Sequence, residues 1–188
     1  MWRSIMFLII NLVLIAYPTL GHGQDSAEVR QRRWQLDSIR LDTMHYGPRY
    51  EFTGHEDPTL LAAAFAYVAQ LGRQAAGETP GAYCVAMGRA DAPVPSAVMS
   101  LLSKSDPPYR PRAFCKIDMN ARRAVEDTSN GKLAWILGIS ALRATSESSF
   151  TVYLSYYVGP LWAQGWVCSA NRDSRGWSFH DCVVRWIA

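Results

Sequence analysis

Apolar residues recur at three- and four-residue steps over one long stretch of the chain. Leu60, Leu61, Ala64, Phe65, Val68 and Leu71 form a single stripe, which predicts a helix over residues 57–76. Asp57-Pro58 opens it, because an Asp at the N-cap accepts backbone N–H bonds and a Pro in the first turn gives up an N–H that has no helical partner. Gly77 ends it, and Ala62, Ala63, Ala66 and Ala69 allow it to lie close to a sheet. After residue 150 the pattern changes. Residues 150–188 crowd β-branched and aromatic side chains into three short runs, broken at Gly159-Pro160 and at Asp173-Ser174-Arg175-Gly176. That composition fits a pleated surface with turns between, and it predicts a three-stranded antiparallel meander around which the rest of the chain is organised.

The segments between are shorter. Residues 83–87 read as a strand carrying Cys84, and Ser96 as the N-cap of a short helix to residue 103 with Val98, Leu101 and Leu102 inward. Pro107, Pro108 and Pro111 cannot continue that helix, and residues 113–118 form a second short strand with Cys115. Asn130-Gly131 is a hairpin signal joining 121–127 to 132–143. The run KLAWILGISALR is apolar without alternation, as in a central strand buried on both faces, and 144–149 is a loop. Residues 24–53 are polar with scattered apolar points, a loose arm or short helix ended by Gly47-Pro48. The expected architecture is α+β: one long and one short helix packed on a curved antiparallel sheet that ends in the meander. The domain spans 57–188, after a polar arm over 24–56.

The first 23 residues carry Arg3, an apolar run over 5–16, then Pro18, Gly21 and Gly23. This is the layout of a cleavable signal peptide, and its apolar run is shorter than the roughly 20 residues a membrane span needs. Cleavage after Gly23 exports the chain to the periplasm or the outside with no stable membrane anchor. The formal charge of +3 falls to +2 without Arg3 and is evenly spread, which argues against a nucleic-acid partner. Four cysteines in an exported chain read as two disulfides; no zinc-type spacing is present, and no cofactor or metal is expected.

The order of a helix, a Cys strand, a segment with Asp91, Pro93, Ser96, Leu101 and Leu102, a second Cys strand and a meander ending in Y-Y-V-G-P-L, Q-G-W and W-x-F-x-x-C-V-V-R-W-I resembles small exported bacterial proteins of unknown function. Their C-terminal sheet is similar to NTF2-like or cystatin-like α+β folds. The resemblance carries no catalytic residue. No nucleophile elbow, P-loop or dinucleotide fingerprint occurs. His180-Asp181 is the one adjacent acid–imidazole pair, and neighbours on a strand point to opposite faces, so a dyad there needs a bulge. His45, His55 and Asp57 fall outside the sheet where an NTF2-like enzyme places its polar pair. The expectation is therefore a non-catalytic binding or interaction domain for an unknown protein or small ligand. An inhibitor- or immunity-type protein acting on a secreted hydrolase is the alternative, with Pro160-Leu161-Trp162 resembling a cystatin wedge although the Q-x-V-x-G hairpin is absent. An NTF2-like enzyme with an unrecognised site is the second.

The meander yields two finer expectations. A three-residue turn ending in left-handed Gly176 sets Asp173 opposite Trp177 and, counting outward, Cys168 opposite Cys182, close enough for a cross-strand disulfide. Cys84 then pairs with Cys115. A tight Gly159-Pro160 loop sets Tyr157 opposite Trp162, Tyr153 opposite Trp166 and Thr151 opposite Cys168. One face then carries Tyr153, Tyr157, Trp162, Trp166, His180, Trp186 and the Cys168–Cys182 bridge. The other carries Val152, Leu154, Tyr156, Ala163, Gly165, Val167, Phe179 and Val183 and packs under the helix. On this reading Tyr153, Tyr157, Trp162 and Trp166 form a surface for a ligand, the N-terminal arm or a homodimer.

Overall fold

A computed structural model of the chain describes residues 52–53, 55–88, 92–118, 125–159 and 161–187. All lie in the second of two compact units, which begins at Asp37. The signal peptide, most of the arm with its Gly47-Pro48 stop, His45, Asp91, the first part of the 121–127 strand and Pro160 fall outside the described residues.

The long helix α1 spans Pro58–Ala76, with the expected Asp57 as its cap. The Asp57 carboxylate accepts from Thr59 N at 2.8 Å and Thr59 Oγ1 at 2.7 Å. Burial works against its charge, but these bonds and Arg172 at 3.3 Å outweigh that and hold its pKa below the usual carboxylate value. Gly77 closes the helix at φ 67, a left-handed conformation that costs a residue without Cβ nothing.

Eight strands follow: β1 (Ala82–Met87), β2 (Tyr109–Pro111), β3 (Cys115–Ile117), β4 (Val125–Asp127), β5 (Lys132–Ser146), β6 (Ser149–Gly159), β7 (Trp162–Asp173) and β8 (Gly176–Ile187). Their order is β2-β1-β5-β6-β7-β8, with β4 joining β5 and β3 joining β4. The sheet is mixed, not antiparallel: β1 runs parallel to both β2 and β5. A parallel neighbour demands a crossover, and the short helix α2 (Ser96–Leu102) lies in the one between β1 and β2. The N-cap of α2 is Pro95, without a side-chain cap; of its three expected inward residues Val98 and Leu102 are buried and Leu101 is exposed. The segment expected as one strand over 113–118 begins instead as a single 3-10 turn, Arg112–Phe114, before β3. The residues taken for a loop at 144–149 complete β5 and begin β6, so the meander has four long strands joined by short turns.

The core sits between α1 and one face of this sheet. Leu60, Leu61, Ala64, Phe65 and Val68 of α1 meet Tyr83, Val85 and Met87 of β1, Trp135, Leu137 and Ile139 of β5, and Val152, Leu154 and Tyr156 of β6. The closest approach is at Gly72, where a Cβ would lie 3.0 Å from the Trp135 ring; only glycine lets the helix come that near. On the opposite face Ala82 and Cys84 join Cys115, Val125 and Ala134 in a second, smaller cluster. β1 is thereby buried on both sides.

Both expected disulfides are present, Cys84–Cys115 and Cys168–Cys182. The second pairing arises by a different register from the one the turn suggested. The turn has two residues, so Asp173 pairs with Gly176 and Arg172 with Trp177, and Ser169 meets His180. An irregularity then sets Cys168 against both Asp181 and Cys182 before Val167 meets Val183. Asp181, at φ 51, is the extra residue. The shorter turn and the bulge each displace the count by one residue in opposite directions, so the cysteines meet all the same.

Candidate functional site

The four aromatic residues assigned to one face do not share it. Gly159 pairs with Trp162, and the ladder shifts at Val158 so that Tyr157 meets Ala163, Leu154 meets Trp166 and Val152 meets Cys168. A slip of one residue moves every later side chain on a strand to the other face. Trp166 is therefore on the helix side, only 6% exposed, stacked on Tyr156 with ring centroids 5.5 Å apart. The Cys168–Cys182 bridge is also on that side, with the Tyr67 hydroxyl 3.5 Å from Cys182 Sγ. Ala163, Gly165, Val167 and Val183, expected under the helix, lie on the opposite face. There Gly165 is roofed by Trp186, whose indole stands where a Cβ would be. Tyr153 and Tyr157 are on that face too, half-buried; Tyr157 packs beside the Cys84–Cys115 cluster, and burial raises its pKa.

Trp162 belongs to a different place. α1 crosses the sheet obliquely. Its first turns touch β7 and β8, where Trp177 Nε1 donates to Thr59 Oγ1 at 3.1 Å and Tyr67 stacks on Phe179 at 4.8 Å. Its last turns lie over β5 and β1, where Arg73 donates to the Tyr83 hydroxyl at 2.7 Å. The tip of the β6–β7 hairpin and the end of β8 emerge beyond its C-terminus. Here Leu161 is 82% exposed, Trp162 46%, Val184 44% and Ile187 74%. Ala75, Ala76, Tyr156, Leu161, Trp162, Ala163, Gln164 and Ile187 line an open cavity of about 210 Å³. Tyr156, whose hydroxyl pKa is raised by burial, is part of its lining, and Gln164 supplies an amide among apolar neighbours.

An apolar rim around a small cavity with one amide can hold a hydrophobic side chain and orient it by a hydrogen bond. Of the expected surface residues, this corner contains Trp162 alone. Gln164, Val184 and Ile187 could not be assigned to it from local pattern, since strand β8 and the tip of β6–β7 meet only through the register. Leu161-Trp162 beside Gly159-Pro160 was the legible signal: two large apolar residues at a turn, where polar ones are the rule.

The His180-Asp181 pair also takes a form the strand pattern did not give. The bulge brings His180 Nδ1 to 3.5 Å from an Asp181 carboxylate oxygen, while Asn171 Nδ2 lies 2.7 Å from His180 Nε2. The amide donates, so Nε2 is the acceptor and the proton of a neutral ring sits on Nδ1, facing Asp181. In a hydrolytic triad Nε2 would face a nucleophile; here an amide N–H holds that place. The array orients an imidazole on the surface. Among the described residues, no group of three His, Cys, Asp or Glu is placed to hold a metal ion, and no helix is long and apolar enough to cross a membrane. Compared with protein-family models, curated proteins and solved structures, the chain matches none.

Proposed function

We propose that the protein is an exported, non-catalytic interaction domain whose partner is another protein, docked on the apolar corner at the β6–β7 tip. Export rests on the leader pattern of the first 23 residues, and the two disulfides suit an oxidising compartment. The single observation that carries the docking site is the gathering of exposed Leu161, Trp162 and Ile187 around one cavity. Monomer surfaces rarely leave such residues contiguous without a use for them. The cavity favours a protein over a small ligand: about 210 Å³ is below the roughly 300–1,000 Å³ of small-molecule sites and suits one inserted side chain. Trp162 is the anchor, with indole area on the rim and an N–H to offer.

A second reading has its own support in the projection of Leu161 from a hairpin tip. In it the tip is a wedge that enters the cleft of a secreted hydrolase, as the resemblance to cystatin-like sheets implies.

A photo-crosslinking residue at Leu161, with Ser105 as the control position, tests both in exported protein. The reading expects one cross-linked protein at Leu161, none at Ser105, and loss of the adduct with Trp162→Ala. Equal labelling at the two positions sinks it. Inhibition of a papain-like protease or a cell-wall hydrolase by the purified protein, abolished by Leu161→Asp, selects the wedge.

A further inference from the structure

Among the described residues β8 ends the sheet, with β7 as its one partner in the ladder. A twelve-residue edge strand with Val183 58% and Val184 44% exposed is the kind that proteins must protect or use. We propose that β8 pairs with β8 of a second copy, antiparallel about a two-fold axis at Val183, and that the protein is a homodimer through this edge. The inference does not rest on the docking corner, although Ile187 borders both surfaces.

Charge argues for that axis. Asp181 and Arg185 are exposed and stand two residues on either side of Val183. Rotation about Val183 sets Asp181 of each copy opposite Arg185 of the other, so one strand supplies both halves of two cross-strand ion pairs. The next pairs outward are His180 with Trp186 and Phe179 with Ile187, each aromatic or apolar.

The irregularities of the strand argue for the partner's identity. β8 has one extra residue at Asp181–Cys182, against Cys168, and another at Arg185, between the partners of Gly165 and Trp166. Such bulges ordinarily keep strangers off an edge, because a regular strand loses step at each one. A second β8 turned about Val183 brings its own bulge at 185 against the one at 181. Extra residue meets extra residue, and the register holds across both. A strand lacking this four-residue spacing falls out of step on one side. The edge is closed to a generic strand and open to its own copy. Because the contact is isologous it closes as a dimer. Among the described residues the other edges, β2 and β3, are three residues long each, and β2 contains Pro111, so neither offers a second long edge for fibre growth.

Sedimentation velocity on protein recovered from the periplasm of a host carrying the full-length gene, from about 1 to about 100 µM, reads the outcome against the micromolar scale of modest interfaces. The wild type is expected to dimerise and Val183→Glu, with two carboxylates at the axis, to remain monomeric. Asp181→Arg and Arg185→Asp should each weaken the dimer by about tenfold or more, and a mixture of these two variants should recover it, since every pair across the axis is again opposite in charge. Thermal unfolding of each variant shows that it is folded before mixing. A wild type monomeric at about 100 µM, a dimeric Val183→Glu variant, or single variants that stay apart when mixed overturns the proposal.

Discussion

The two ends of the sheet are finished in opposite ways. At one end β2 is three residues long and holds a proline, β1 is buried on both faces, and the β3–β4 hairpin lies over it, tied down by Cys84–Cys115. The carboxylate of Asp127, fully buried, accepts from Ser129 N and Oγ and from Asn130 Nδ2 at 2.7–3.1 Å, with Arg110 at 3.6 Å. At the other end β8 is twelve residues long and exposes Val183, Val184 and Ile187. Both ends carry a disulfide, so the cross-links do not explain the contrast. The difference separates two uses of an edge: one is sealed to hold the molecule together, the other is left available for contact.

Substitutions toward the sealed end should therefore unfold the protein and those at the open end should not. The largest effect belongs to Trp135, fully buried between α1, Tyr83 and Tyr156. Trp135→Ala should cost about 3–5 kcal/mol in chemical denaturation; a loss below about 1 kcal/mol would mean that the core is not where the packing places it. Next come the disulfides. Replacing Cys84 and Cys115 by Ser opens a link across 31 residues and should cost about 4 kcal/mol, somewhat more than the about 3 kcal/mol for opening Cys168–Cys182 across 14, because a longer loop frees more chain entropy. The reverse order would show that β8 depends on its bridge more than on the ladder.

Asp127→Ala should cost about 2 kcal/mol by removing charge-assisted bonds from a buried turn. Burial opposes the Asp127 charge, yet the bonds from Ser129 and Asn130 with the Arg110 charge outweigh it and lower the pKa. With the folded value below the unfolded one, the stabilisation is fully present above about pH 4 and is lost as pH falls through the folded value. Urea midpoints taken from pH 7 to pH 3 should therefore fall less steeply in the variant than in the wild type. The smallest effect on stability is expected at the open end. Trp162→Ala and Val184→Ser should each change it by less than about 0.5 kcal/mol, while Trp162→Ala weakens docking at the corner by about 2 kcal/mol or more.

Sequence made the local parts of this fold legible and the cumulative parts less so. Asp57, Pro58 and Gly77 carry the limits of α1 in their own chemistry, whereas the count along the last hairpin reached the right disulfide only because a turn shorter than expected and the bulge at Asp181 offset each other. Strand faces are different, because the side of every residue depends on all the residues before it. One bulge at Val158 sent Trp166 beneath α1 and removed it from Tyr153 and Tyr157. The parallel position of β1 has no local signature at all, since it is set by partners some 50 residues away along the chain. For the same reason Trp162 and the leading Leu161 could be picked out, but not Ile187 or Gln164 beside them.

The oblique course of α1 has a consequence in plain geometry. A rod of 19 residues is about 28 Å long, while six strands span about 24 Å across their ladder and the longest run well beyond that. A rod placed on the diagonal of such a rectangle shelters the middle and two opposite corners, and it must leave the other two bare. α2 sets Val98 and Leu102 into the core beside α1. One bare corner is where Leu161, Trp162, Val184 and Ile187 stand, and no further helix of the described chain is there to fill it. Its apolar character is what a sheet presents when a tile is missing, and the partner proposed for it completes the tiling.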